Sequence, residues 1–190
     1  TLLGVILIIL VLLIPESESE EHIIDETESA YNIIRVGKKG DVYTLYLNDE
    51  RWVQSTYRKG FISTGGYIDF MLLGKPLADI NNLLILGAAG GTSIKQFLFF
   101  SPEAQIDAVE IDPKVIEAAR KYFGLADNPR LKIHFEDARP FLNRTQRKYD
   151  IIEIDMFSGG PFVPFYLTTQ EFFQMVFKKL NSKKILMARS

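Results

Sequence analysis

The chain contains no cysteine, so it forms neither a disulfide nor a thiolate metal site. Its two histidines, His22 and His134, stand too far apart to make a ligand motif of their own, and no metal is expected. There is no long basic run and the formal net charge is −2, which leaves nucleic acid without an electrostatic footprint. Disorder is excluded too. Of 190 residues, 47% are hydrophobic and 24% charged, enough for one globular domain with a sizeable core and some extra sequence.

Two further absences are local. Leu2 to Ile14 carries no polar side chain at all. At ~1.5 Å per residue it covers about 20 Å as a helix, against the ~30 Å of a bilayer core. A signal peptide would need a basic leader, and a buried core helix on a domain this size would show a polar face. With Thr1 at its head, the stretch over residues 1–15 is therefore expected to be the second half of a transmembrane helix. From Glu16 to Glu28 there is no lysine or arginine, only Glu16, Glu18, Glu20, Glu21, Asp25, Glu26 and Glu28 among the charged residues. Residues 16–29 read as a solvated, self-repelling linker. The rest of the chain then balances at +5, 22 basic against 17 acidic residues.

What the chain does have is a stretch from Leu83 to Asp112 around which the rest is organised. Leu83 to Leu86 is a short apolar run ending at Gly87, as expected of a strand buried on both faces. Gly90 and Gly91 follow, letting backbone approach a ligand, and a helical pattern begins at Thr92. The next strand, Ile106 to Ile111, carries Glu110 about 20 residues past the glycines, where an acidic side chain accepts hydrogen bonds from ribose hydroxyls. The dinucleotide fingerprint itself is broken, with Ala89 and Thr92 where its second and third glycines belong, so an NAD site is disfavoured. A nucleoside without a pyrophosphate fits better, and S-adenosylmethionine or its decarboxylated form is such a ligand. A tight βα corner with no ligand is the alternative for the glycines taken alone.

Before this stretch, Tyr31 to Val36, Asp41 to Asn48 and Trp52 to Thr56 read as an antiparallel β lobe over residues 30–60, and Tyr67 to Leu73 as a helix leading into the nucleotide-binding domain, 61–190. After it, strands Leu131 to Phe135, Tyr149 to Asp155 and Lys184 to Ala188 alternate with helices Pro113 to Phe123, Pro140 to Arg144 and Thr169 to Leu180. That alternation predicts an α/β fold, a doubly wound parallel sheet covered on both faces. A domain of this class ordinarily continues with antiparallel strands, so truncation beyond Ser190 is expected.

Several short segments, in order, resemble the spermidine synthases, the polyamine aminopropyltransferase family, and most closely their membrane-fused branch. They are Glu28-Ser-Ala-Tyr31-Asn32, Leu47 to Ser55 with Gln54, Tyr67 to Met71, Leu84 to Gly91, Val109-Glu110-Ile-Asp112-Pro113, Glu136-Asp137-Ala138-Arg139, and Tyr149 to Gly159 with Asp155 and Ser158. The resemblance implies a class I methyltransferase-like (Rossmann-like) sheet behind a small antiparallel lobe. It implies that Glu110 holds the ribose, that Asp137 and the Ala138 amide hold the adenine edge, and that Gln54 and Tyr67 line the sulfonium and amine side. Asp155, ending its strand at the carboxyl edge of the sheet, would be the catalytic aspartate. An amine attacks a sulfonium-bound carbon only as the free base, so a carboxylate that orients it and takes its proton supplies positioning and general-base help.

Two positions depart from the family pattern. Gly90 stands where the family's glycine loop carries an aspartate, and Ser158 where a second aspartate follows the catalytic one. The expected activity is aminopropyl transfer from decarboxylated S-adenosylmethionine to an amine acceptor in polyamine biosynthesis. Methyl transfer from S-adenosylmethionine is the alternative, and a non-catalytic nucleoside-binding domain at the membrane the second. The expected placement is at a membrane with the domain on the cytoplasmic side, where the cofactor is made; a homodimer is left open.

Other residues have structural explanations. Asp112 before Pro113 reads as a helix N-cap, Thr168 with Glu171 as a capping box, His134 as a surface residue, and Arg139 and Arg144 as exposed basic residues with no required role. Phe97, Phe99, Phe100, Phe172, Phe173 and Phe177 read as core packing.

Overall fold

The computed structural model describes residues 20–66, 69–70, 72, 80–157 and 162–188. Its centre is strand β5 (Asn82–Leu86), flanked by β6 (Gln105–Glu110) on one side and β8 (Tyr149–Ile154) on the other. With β7 (Leu131–Phe135) and β9 (Leu180–Ala188) the order is β7-β6-β5-β8-β9, every pair parallel. Leu83 to Leu86 are wholly buried because the strand's alternate side chains enter two different cores. Leu83 and Ile85 face helices α1 (Thr92–Phe100) and α2 (Pro113–Tyr122), packing with Ile94, Phe97 and Ile116. Leu84 and Leu86 face α3 (Ala138–Arg144) and α4 (Gln170–Lys179), packing with Phe141, Tyr149 and Phe172. The chain crosses from one side of β5 to the other between β7 and β8, which opens a crevice at the strands' carboxyl ends.

The second sheet is an antiparallel meander, β1 (His22–Glu28), β2 (Ile33–Lys39), β3 (Val42–Leu47) and β4 (Val53–Arg58). Here the acidic stretch departs from the expected linker, since residues 22–28 form its first strand. The charges that should repel find partners across space: Arg35 Nε lies 2.5 Å from Glu26, and Lys121 Nζ 3.2 Å from Asp25. Nor does the lobe stand apart. Ile34, Val36, Leu45 and Leu47 share a core with Val115 of α2 and with Phe123 just after it.

Asp112 joins the two sheets. It caps α2 as expected, accepting from Lys114 N at 3.0 Å. Its other oxygen accepts from Ser29 Oγ at 2.6 Å and Asn32 Nδ2 at 2.9 Å, and the side chain is fully buried.

Three local expectations are corrected. Thr169, not Thr168, caps α4, which moves Glu171 out of the capping-box position. His134 is not a surface residue: α3 covers its face of β7, its ring packs 4.7 Å from Phe141, and Nε2 lies 2.7 Å from the buried Asp107 carboxylate. Phe99, Phe100 and Phe177 are exposed and belong to none of the core clusters of the described residues. The expected transmembrane segment at residues 1–15 lies outside the described residues. Among those described, no helix is long and apolar enough to cross a membrane. Most of the helix expected over Tyr67 to Leu73 also lies outside them.

Candidate active site

A cavity of about 230 Å³ opens at the carboxyl ends of β5, β6 and β8. Its floor is the turn after β5. Gly87 N–H donates to Val109 O at 2.9 Å, Asp155 N–H donates to Leu86 O at 2.9 Å, and Gly87 has φ +93°. The strand end is thus pinned between its two neighbours, and only glycine fits there.

Glu110, Asp137 and Asp155 all line this cavity. Glu110 is buried, and one of its oxygens accepts from Ala88 N (3.1 Å) and Ala89 N (3.3 Å) while the other accepts from Asp112 N (3.1 Å). Burial pushes its carboxyl up from the usual carboxylate range, and these three backbone donors oppose that shift. The same bonds tie the glycine turn to the end of β6. Asp137 follows β7 and caps α3, accepting from Arg139 N at 2.8 Å. Ala138, the first residue of α3, also reaches the wall, and its N–H is one of the first-turn amides without an intrahelical acceptor. Asp155 follows β8 and is half-buried, next to Met156 and Phe157 in the wall.

From the β lobe, Gln54, Leu47, Tyr31 and Asn32 close the opposite side. Gln54, which the resemblance implies for this site, lines the cavity, and Gly87 does too. Gly90 and Gly91 do not. Neither lines the cavity. A Cβ on Gly90 would sit 2.7 Å from Ser55 Cβ, one on Gly91 3.0 Å from Leu125, and Gly90 N–H donates to Ser55 Oγ at 3.0 Å. Their freedom lets the turn pack against β4 and the segment after α2, and Ala89, with φ +44°, presents itself to the cavity instead. Tyr67 and Ser158 lie outside the described residues.

Three further groups have partners that nothing local in the sequence indicates. Tyr166, in a 3-10 turn (Phe165–Leu167), lines the cavity and donates its hydroxyl to Asp137 Oδ2. Arg139, expected to be an exposed cation, instead donates from Nε to Tyr166 O at 2.9 Å. Beneath the floor, Glu153 on β8 is buried and accepts from Ser93 Oγ at 2.6 Å. Burial, chiefly, pushes its carboxyl up to about 8, with the Asp155 charge adding to the effect.

A family model for the spermine/spermidine synthase domain matches residues 70–190. The chain belongs to the spermine/spermidine synthase family. Within that family it is 36% identical over 164 residues to a probable polyamine aminopropyl transferase of Bifidobacterium longum, an alignment covering 85% of this chain and 36% of the relative. It is 30% identical to a polyamine aminopropyltransferase of Vibrio vulnificus, covering 94% and 62%. The chain therefore spans between about a third and two thirds of these relatives. Its fold is similar to that of a probable spermidine synthase from Corynebacterium glutamicum, with a TM-score of 0.74 at 23% identity, covering 88% of this chain and 63% of that one. The parallel sheet behind a small antiparallel lobe is thus the fold that the residues predict and the resemblance implies.

Proposed function

We propose that this protein transfers an aminopropyl group from decarboxylated S-adenosylmethionine to an amine acceptor, as a step of polyamine biosynthesis. The observation that carries the reading is the convergence of Glu110, Asp137 and Asp155, from three successive strand ends, on one cavity beside a glycine turn. Glu110 suits ribose hydroxyls and Asp137 with the Ala138 amide suits the donor and acceptor of an adenine edge. Asp155 is left to face the acceptor. The free amine attacks the methylene carbon on the sulfonium, the carbon–sulfur bond breaks to release a neutral thioether, and the nitrogen's proton passes to Asp155. Asp155 helps twice, by orienting the amine and by removing that proton.

A second reading, methyl transfer from S-adenosylmethionine, draws on Gly90. Gly90 stands where the family's glycine loop carries an aspartate, so this loop brings no carboxylate to oppose a cofactor that carries its own. We further propose the membrane-fused branch, with the domain at the cytoplasmic face; the apolar run at residues 2–14 and the Asp155-Met-Phe-Ser158-Gly159 segment support it.

Incubating purified full-length protein with decarboxylated S-adenosylmethionine and a panel of diamines, then measuring 5′-methylthioadenosine and the lengthened amine by mass spectrometry, tests the first reading. Release of both in equal amounts is expected. Turnover of S-adenosylmethionine alone would favour the methyl reading, and tight nucleoside binding without any product a binding domain.

A further inference from the structure

Asp137 is held by more than its place in the fold. Oδ1 accepts the N–H of Arg139, and Oδ2 accepts the hydroxyl of Tyr166, 29 residues further along the chain. Tyr166 is itself fixed by the same arginine, whose Nε and Nη2 both donate to its carbonyl, and Nη2 also reaches Thr169 Oγ1, the cap of α4. The guanidinium lies over the buried Phe172 ring, 5.8 Å from its centre. These contacts close a ring from Asp137 through Arg139 to Tyr166 and back.

Each carboxylate oxygen of Asp137 is therefore committed to one donor and keeps a second lone pair. The carboxylate cannot turn without breaking a bond at one end. Adenine offers an amino donor at position 6 beside an acceptor at N1, and a fixed carboxylate next to the Ala138 amide matches that order. A base without the amino group leaves an aimed acceptor unpaired, which is where discrimination comes from.

We propose that Tyr166 is the positioning residue of base recognition, its hydroxyl fixing the Asp137 carboxylate so that the site reads the exocyclic amino group of an adenine nucleoside. This rests on the nucleoside reading of the cavity. Burial and the neighbouring Asp137 push the Tyr166 phenol up to about 12, so it remains a donor across the working pH range.

Calorimetry on the full chain with two probes, 5′-methylthioadenosine and its analogue lacking the 6-amino group, tests the proposal. The wild type is expected to prefer the amino-bearing probe. In Tyr166→Phe that preference should fall about tenfold, the scale of one hydrogen bond to a charged group, while affinity for the desamino probe changes less than about twofold. Arg139→Lys, which loses the two-point grip on the Tyr166 carbonyl, should reduce the preference in the same direction, and provides the test if the phenylalanine variant does not fold. Equal loss of both probes would mean that Tyr166 only roofs the cavity, and an unchanged preference that its hydroxyl has no part in recognition; either result overturns the proposal. A wild type that binds neither probe overturns the nucleoside reading as well.

Discussion

A Cβ placed on Gly87 would lie 2.1 Å from the carbonyl oxygen of Asp155. The glycine turn and the proposed catalytic carboxylate are therefore in backbone contact, and any side chain at Gly87 displaces the chain that presents Asp155. With φ at +93° the position is also strained for any other residue. Gly87→Ala is expected to cost ~3 kcal/mol or more, from overpacking and backbone strain together. That corresponds to roughly 10 °C in Tm for a chain this size. Thermal unfolding followed by circular dichroism measures it, and turnover should fall further than the loss of folded protein accounts for.

Asp112 ties the β lobe to the parallel-sheet domain, so its removal should be felt in both. Asp112→Ala loses a helix cap and leaves Ser29 and Asn32 without their acceptor, a loss of about 2 kcal/mol. Because Asn32 and Tyr31 line the cavity, nucleoside affinity should weaken as well. Asp112→Asn, which still caps but brings an amide against the amide of Asn32, should fall between. Denaturant titration and calorimetry on the same samples check this.

Glu153 makes stability depend on pH in a defined direction. Its carboxyl is raised from 4.5 to about 8, so between those values the folded protein holds a proton that the unfolded chain has lost. The contribution is fully present below pH 4.5 and is lost as pH rises to about 8, with a slope of at most about 1.4 kcal/mol per pH unit. The raised Glu110 acts in the same direction. Asp69, lowered to about 2 by Ser63, the Thr64 and Gly65 amides and Gln96 acting against desolvation, acts oppositely and only in acid. Glu153→Gln should match the wild type near pH 5 and exceed it near pH 8.5. Urea unfolding at the two values decides.

How far these relationships could be read beforehand depended on their range along the chain. That Glu110, Asp137 and Asp155 end or follow strands was legible from local apolar patterns, and parallel pairing brings all three ends to one edge; the roles expected of Asp137 and Asp155 came from the family resemblance alone. The roles of Gly90 and Gly91 were not, since which way a turn presents its Cα hydrogens depends on β4 packing beneath it, through Ser55. The acidic strand β1 was hidden because its partner Arg35 becomes a neighbour only when β2 pairs with it. Tyr166 was hidden for the same reason: nothing local links it to Asp137.

On the proposed function, Asp155 acts on the nucleophile while Glu110 and Asp137 hold the nucleoside in ground and transition states alike. Single-turnover rates and nucleoside affinities of Asp155→Asn and Glu110→Gln, measured side by side, separate these two roles. For Asp155→Asn the expected rate is lower by ~10²- to 10⁴-fold with affinity nearly unchanged, since asparagine keeps the size but accepts no proton. For Glu110→Gln weakened affinity with a smaller effect on the bound rate is expected. An Asp155→Asn protein that keeps more than about a tenth of the wild-type rate, below the least loss expected of a general base, would contradict that role.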